Sequence, residues 1–359
     1  MSSRPRASGY FRTDYAADYA LLGTRSARIW VALFSLALLL FPLVASPFQL
    51  DLACQVFLAS VGALSLMLLM GYAGQISLGH AGLIAAGAFT VGILFRETNA
   101  PFWLTLPAAA LVGALLGVIF GLPSLRLRGL YLAVSTLALH FVVIYIGGEY
   151  ETRRGFSTGI MIDPPQVGSL SVTDGRAWYF ILLVAAASTL LICLNLLRTR
   201  SGRAWRAIRT HETVAETLGI GIAAYKLLAF VISSSITAVA GALFAYYRGF
   251  VSVEAFSLFL TIQYVAMVIV GGMGSLLGAL LGAAFVTLFP YVIETALLAL
   301  PGAQGFASLL FAVNYAAFGL VMILFLLLEP LGLVGIWRRI QSYFLLWPYR
   351  HRPAAGAHQ

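Results

Sequence analysis

Residues 177–197 read Ala177-Trp178-Tyr179-Phe180-Ile181-Leu182-Leu183-Val184-Ala185-Ala186-Ala187-Ser188-Thr189-Leu190-Leu191-Ile192-Cys193-Leu194-Asn195-Leu196-Leu197, and Arg176 and Arg198 bracket them. No charged side chain lies between the two arginines. A helix of about 20 apolar residues crosses the ~30 Å hydrocarbon core of a bilayer. A barrel strand would be about half as long and would alternate apolar with polar residues. This stretch is a continuous run, and similar runs fill most of the chain. Of the 359 residues 61% are hydrophobic and 10% charged, where a soluble domain carries roughly 25% charged residues. In lipid only helices and closed barrels satisfy every backbone polar group. The sequence therefore reads as an all-α, polytopic transmembrane helical bundle.

The apolar runs predict ten spans, near 28–48, 50–70, 75–95, 102–122, 129–147, 177–197, 227–247, 257–275, 278–298 and 306–328. An eight-span arrangement that merges the eighth with the ninth and drops one other keeps the same ends. The junction of those two, Gly271-Gly272-Met273-Gly274-Ser275, reads either as a tight turn or as a broken helix. Charge tests the count. The formal net charge of +9 does not point to nucleic acid, because the cations sort by loop. With the N-terminus inside, 17 of the 22 basic residues fall on inner segments: the start of the chain, Arg126 and Arg128, the stretch Arg198 to Lys226, and Arg338 to Arg352. Only Arg96, Arg153, Arg154, Arg176 and Arg248 fall outside. Positive residues concentrate on the cytoplasmic side of membrane proteins, so the expected orientation is N-in, C-in. The expected divisions are a cytoplasmic arm at 1–27, a membrane domain at 28–328 and a cytoplasmic tail at 329–359. The arm, with Arg4, Arg6 and Arg12, is too long and its following span too full for a cleavable signal peptide.

Two loops are long. Residues 148–176, with Glu149, Glu151, Asp163 and Asp174, lie outside and serve either as a solvated connector or as a contact for an external partner. Residues 198–226 lie inside. There Ala204, Trp205 and Ile208 form one apolar face with Arg203, Arg206 and Arg209 as its rim. Thr213 and Glu216 have the spacing of a capping box that opens a second short helix, with Gly219 and Gly221 as stops. Such an element either rests on anionic lipid or docks a cytoplasmic partner that moves the bundle through it.

Chemistry-bearing residues inside the spans are few. Gly71-Tyr72-Ala73-Gly74-Gln75-Ile76-Ser77-Leu78-Gly79-His80-Ala81-Gly82 combines glycine with Gln75, Ser77 and His80. Irregular backbone at membrane depth is tolerated only where protein buries it or a cavity wets it, and transporters aim broken helix ends at substrate there. Gln75, Ser77 and His80 are therefore candidates for a translocation path, with Gly71, Gly74, Gly79, Gly271, Gly272 and Gly274 as helix-break glycines. Glu294 is the one acid well inside a predicted span, and it joins the path candidates. His140 reads as structural. Gly113, Gly117 and Gly121, and Gly274, Gly278 and Gly282, each line one helix face and favour close packing. Cys54 and Cys193 are lone residues in apolar runs, with neither disulfide nor metal-ligand spacing. The single lysine, Lys226, is followed by Leu227, so the Gly-Lys-Ser/Thr of a phosphate-binding loop is absent. No nucleophile–base pair or metal-ligand set stands out, so the chain reads as a transport component and not as an enzyme.

Five blocks in order resemble the permease family of branched-chain amino-acid ABC importers, specifically its M-type subunit. They are Gly71 to Gly82, Leu125 to Ala133, Ser201-Gly202-Arg203 through Gly219-Ile220, Lys226 to Ser233 with Ala240 to Leu243, and Gly271 to Ser275 with Gly278 and Gly282. The likeness runs from about residue 71 to 290. It implies a second, similar permease, two cytoplasmic ATPases that use ATP and magnesium, an extracytoplasmic solute-binding protein, and an inner-membrane location. No cofactor is implied for this chain. The resemblance makes Arg203, Arg206, Arg209, Glu212, Thr213, Ala215, Glu216 and Gly219 the ATPase-coupling residues. The importer pattern Glu-Ala-Ala-x-x-x-Gly is only partly kept: Thr213-Val214-Ala215 and Gly219 align, with Glu212 one place early. Leu83, Phe89 and Leu130 also depart from the usual family residues. Relatives in this family also carry urea, short amides and aromatic acids. The rival reading from another class is a self-sufficient ion-coupled carrier or channel.

Overall fold

The computed structural model describes residues 25–125, 129–156, 159–167, 170–298, 310–329 and 331–346. Residues 1–24 of the predicted arm, Arg126, Arg128 and the end of the tail lie outside the described residues. The apolar helices are α1 (Arg25–Val44), α2 (Pro47–Leu66), α3 (His80–Thr98), α4 (Phe102–Ser124), α5 (Leu130–Arg154) and α6 (Gly175–Leu196). After two short polar helices, α7 (Arg200–Thr210) and α8 (Glu212–Thr217), come α9 (Ile222–Arg248), α10 (Leu258–Gly271), α11 (Leu276–Leu298), α12 (Leu310–Leu328) and α13 (Gly332–Leu346). Among the described residues seven helices are long and apolar enough to cross a membrane, and three shorter apolar ones stand at the remaining predicted positions. The ten predicted runs thus correspond one to one with ten helices, and the chain is a multi-pass membrane protein.

The centre of the bundle is α9, which packs along α2, α3 and α4. Small residues set those crossings. A Cβ on Gly241 of α9 would run into the Ile84 carbonyl of α3, and one on Gly87 of α3 would run into the Ala238 carbonyl of α9. The stripe Gly113, Gly117 and Gly121 of α4 lies on Ser234, Ala238, Val231 and Leu227 of the same helix α9. That predicted packing face is therefore used inside the chain. Between the helices Ser65 and Thr237 share a hydrogen bond of 2.8 Å, and the Ser233 hydroxyl donates to the Ser65 carbonyl.

Three boundaries depart from expectation. The 148–176 connector is shorter, because α5 continues to Arg154, where Gly155 stops it in a left-handed conformation. The remainder is tied down by two-residue strands: β1 (Ile160–Met161) pairs with β4 (Phe250–Val251) after α9, and β2 (Gln166–Val167) pairs with β3 (Leu170–Ser171). The 257–275 and 278–298 runs are two separate helices. Gly272 and Gly274 take positive φ between them, and Gly271 of α10 packs on the backbone of Gly278 in α11. That turn keeps the eighth and ninth runs from forming one continuous helix. The third span opens at His80 and not at residue 75, because residues 73–79 are non-helical.

Gly241→Leu should destabilise the folded protein by about 1–3 kcal/mol, the usual cost of overpacking, since the obstacle is backbone and cannot rotate away. Gly175→Ala meets nothing within 4 Å and should leave the thermal unfolding midpoint of the detergent-purified protein unchanged.

Candidate functional site

The predicted helix-break glycines and the loop between α6 and α9 meet at one end of the bundle, the end that carries the basic run Arg198 to Lys226. The irregular segment begins with a π-helical turn, Met67–Tyr72, that continues α2. A wider turn leaves amides out of register, and the Ala73 and Gln75 amides return to the Leu68 and Leu69 carbonyls. Further along the break, two amides are met by side chains. Leu78 N–H donates to Thr136 Oγ1 of α5 at 2.9 Å, and Gly79 N–H to Ser77 Oγ at 3.4 Å. Ala81 N–H, in the first turn of α3, donates to Thr261 Oγ1 of α10 at 3.0 Å. The opening of α3 is thus enclosed by protein: Gln75, Ser77, Gly79 and His80 are all buried.

Helix α7 sits against this segment for reasons legible in its own sequence. Ala204, Trp205 and Ile208 are buried as predicted, and the Trp205 indole N–H donates to the Tyr225 carbonyl at 2.8 Å. That contact fixes the rotation of α7, and the three arginines then diverge. Arg203 donates to the Arg198 carbonyl, and Arg206 to the Gly202 and Leu197 carbonyls, so both secure the local turn after α6. Arg209 alone reaches the bundle. Its guanidinium donates to the Gly71 carbonyl at the π-helical turn. Its stem lies against Gly74, where a Cβ would stand 3.3 Å from Cγ, and its guanidinium abuts Gly274 in the α10–α11 turn. Gly71, Gly74 and Gly274 therefore frame a socket for one arginine. Gly74 and Gly274 also have φ of +71° and +87°, which side-chain-bearing residues avoid.

A second tie lies beside the socket. Lys226 Nζ, at the start of α9, pairs with Glu212 Oε1 at 2.7 Å, and Gln75 Nε2 donates to the Lys226 carbonyl at 3.0 Å. This pair corrects the expected capping box: α8 opens at Glu212, one residue before Thr213, and His211 is its N-cap without a side-chain bond. A tertiary ion pair positions the helix start that local spacing assigned to Thr213 and Glu216. The end is as read, with Gly219 at φ +78° and the Ile220 amide returning to the Ala215 carbonyl. Ala215 is buried, whereas Thr213, Glu216 and Gly219 are exposed. Sequence reasoning missed Val214 of α8 and Leu218 just after it, which are 53% and 73% exposed and stand four residues apart as an apolar knob. Their spacing was the available signal.

The other candidates separate. His80 lies under Tyr264 of α10, edge-to-face at 4.7 Å, and its Nε2 has no hydrogen-bond partner among the described residues. Glu294 is exposed near the far end of α11, 18 residues and about 27 Å of helix from Leu276. The structure does not bring it to Gln75, Ser77 and His80. Gly271 and Gly272 pack the late turn: Gly271 against Gly278, and Gly272 against Leu331 ahead of α13. His140 is buried beside Gly82, consistent with a packing role.

The family described as "Branched-chain amino acid transport system / permease component" matches residues 49–328. The chain belongs to this family. It is 33% identical over 279 residues to the high-affinity branched-chain amino acid transport system permease protein LivM of Salmonella typhimurium, across 70% of this chain and 66% of that protein. It is 32% identical over 277 residues to LivM of Escherichia coli, across 70% of this chain and 65% of that one. The autoinducer 2 import system permease protein LsrC of an Enterobacter species is 31% identical over 189 residues, half of this chain and 52% of its own. The chain thus spans about two thirds of the length of the LivM relatives. No solved structure matches it. The family match includes the whole arginine socket and stops at the end of α12, ahead of α13.

Arg209→Ala should remove a charge-assisted hydrogen bond worth about 1.5–3 kcal/mol and leave the Gly71 carbonyl without it. Amide exchange in residues 73–79 should then quicken, measured by hydrogen–deuterium exchange with mass spectrometry. Arg203→Ala, which loses only a local bond, should not change exchange there. Gly74→Ala should act like Arg209→Ala and add about 1–2 kcal/mol of backbone strain.

Proposed function

We propose that the chain is a permease subunit of an ATP-binding-cassette importer in a bacterial inner membrane, and that with a second, similar permease it forms the path for branched-chain amino acids or related small solutes. Family membership supports the permease role. The charge distribution supports placing the α7–α8 end in the cytoplasm. The observation that carries the coupling mechanism is the latch: Arg209, on a helix outside the apolar runs, is bonded to the Gly71 carbonyl where α2 breaks. Two cytoplasmic ATPases supply the ATP and magnesium chemistry in this reading, since Lys226 of this chain sits in no phosphate-binding loop.

The physics of coupling follows from the contacts. A motor outside the membrane moves helices only through a part that it can grip and that does not bend. Val214 and Leu218 offer apolar area for that grip, with Thr213, Glu216 and Gly219 around them. Arg203 and Arg206 brace the base of α7. Movement of α7–α8 then reaches α9 through Glu212–Lys226 and reaches the α2–α3 break through Arg209. Because the break has few ladder hydrogen bonds of its own, it is where the bundle yields at least cost. The solute passes between the two permeases near Gln75, Ser77 and His80, and an extracytoplasmic binding protein docks at the opposite end, near the β1–β4 hook. Leucine is the first substrate to try, with urea, short amides and aromatic acids as the alternatives that the family resemblance offers.

The test is radiolabelled leucine uptake into proteoliposomes holding this chain, the second permease and the ATPases, with binding protein outside and ATP inside. Uptake should require both ATP and binding protein. Val214→Asp with Leu218→Asp should cut uptake by roughly tenfold or more, since burying an unpaired charge in an apolar contact costs several kcal/mol. Stimulation of ATPase activity by the binding protein should fall in parallel. Uptake driven by an ion gradient with this chain alone would overturn the proposal.

A further inference from the structure

Away from the latch, a cavity of about 310 Å³ opens between α2, α9, α10 and α11. Its depth can be read from the helices. Arg248, at its mouth, stands 22 residues beyond Lys226, about 33 Å along α9 from the basic end. Tyr264, deeper in its wall, stands seven residues before Gly271, about 10 Å from that end, and Met267 a turn nearer still. The lining thus runs from Arg248, far from the latch, toward the latch end of α10. The Tyr264 ring fills the space left by Gly62, where a Cβ would lie 2.5 Å from its Cε1. Beneath the ring is His80, 2% exposed, with its unpartnered Nε2.

The wall mixes chemistries. Leu58, Phe244 and Met267 supply apolar surface, and Gln263 and Thr287 polar groups. Gln55, Tyr247 and Tyr291 of the lining are already engaged with one another or with Asp51. Asp51 accepts from Gln55 Nε2 at 2.7 Å and from the Tyr247 hydroxyl, and the Tyr291 hydroxyl donates to Gln55 Oε1 at 3.1 Å. Both oxygens of that carboxylate are thus engaged. Arg248 differs. Its guanidinium lies 5.8 Å from the Tyr247 ring centroid, and among the described residues no carboxylate pairs with it. A guanidinium held by an aromatic face keeps its N–H edge available for a carboxylate.

We infer that this cavity is a solute subsite within the chain, in which Arg248 takes the carboxylate of a small solute, the Leu58–Phe244–Met267 wall takes its apolar body, and Tyr264 over His80 closes the floor. The volume is at the small end for ligand pockets, which suits a compact solute. The inference rests on the import reading for the direction of travel. Onward travel from the cavity to the path between the two permeases requires the Tyr264 ring to leave Gly62, which uncovers His80 Nε2 beneath it.

The experiment uses the assembled complex in proteoliposomes with Thr287→Cys in the cavity wall. Cys54 and Cys193 are buried, and the parent chain gives the background rate. Labelling by a water-soluble methanethiosulfonate is followed with leucine, with 4-methylpentanoate (the carboxylate without the amine) and with 3-methylbutylamine (the amine without the carboxylate). Leucine and 4-methylpentanoate should protect and the amine should not. Arg248→Gln should raise the half-protecting concentration by roughly tenfold or more, as the loss of a charge-assisted hydrogen bond requires, and Arg248→Lys by less. Equal protection by all three compounds, protection by none, or protection untouched by Arg248→Gln would overturn the subsite. ATP-dependent leucine uptake, measured on the same vesicles, separates the two readings. Uptake without carboxylate-selective protection sinks the subsite and keeps the importer, and protection without uptake does the reverse.

Discussion

Residues 73–79 leave the helical ladder where α2 passes to α3, and the backbone groups buried there have to be met by protein. Each buried group left unanswered costs several kcal/mol. The solution draws on separate parts of the chain. Thr136 of α5 takes the Leu78 amide, Thr261 of α10 takes the Ala81 amide, and Arg209 of α7 gives to the Gly71 carbonyl. Three helices are therefore held where they are by the needs of one irregular stretch. The same constraint explains the glycines. A socket that seats an arginine against backbone crowds a Cβ at Gly274 and leaves little space for one at Gly74, and both positions have positive φ.

Much of the bundle was legible because membrane helices are written in composition. An uncharged run such as 177–197 leaves little freedom, and the helix that forms there is Gly175–Leu196. Where sequence reading slipped, a distant partner had outweighed a local pattern. Thr213 and Glu216 have the capping-box spacing, but Lys226 draws Glu212 and the helix opens one residue earlier. The 148–176 connector lost its first turns to α5, since nothing at residue 148 stops that helix and the glycine that does stop it is Gly155.

The site was legible in its parts and not in its assembly. Gly71, Gly74, Gly274 and Arg209 were each singled out, yet the bond from Arg209 to Gly71 spans 138 residues of sequence. Nothing local distinguishes Arg209 from Arg203 and Arg206. The distinction appears only when Trp205 seats α7 against Tyr225 and its rotation sends one arginine inward and turns two back to their own loop. Glu294 shows the opposite case. Its place inside an apolar run made it a candidate, but an acid near the end of a helix can sit at the surface, and there it is exposed.

The latch and the cavity lie on the same helices, and this gives the two features a shared consequence. Tyr264 and the Gly271–Gly274 turn are both on or directly after α10, seven residues apart. Arg209 touches Gly274 at one end of that short helix, and the Tyr264 ring blocks the cavity from its middle. The helix has 14 residues, about 21 Å. In the import reading, displacement of α7 would reach it through the short Gly272–Gly274 turn that joins Arg209's contact to α10. The opposite end of α10 follows the 250–257 segment, which is tied to the rest of the chain by the β1–β4 pair and by the Val253 amide on Glu151. With that end held, a tilt of α10 about it would move the Tyr264 ring relative to Gly62, and that contact is the one the proposed subsite needs to open.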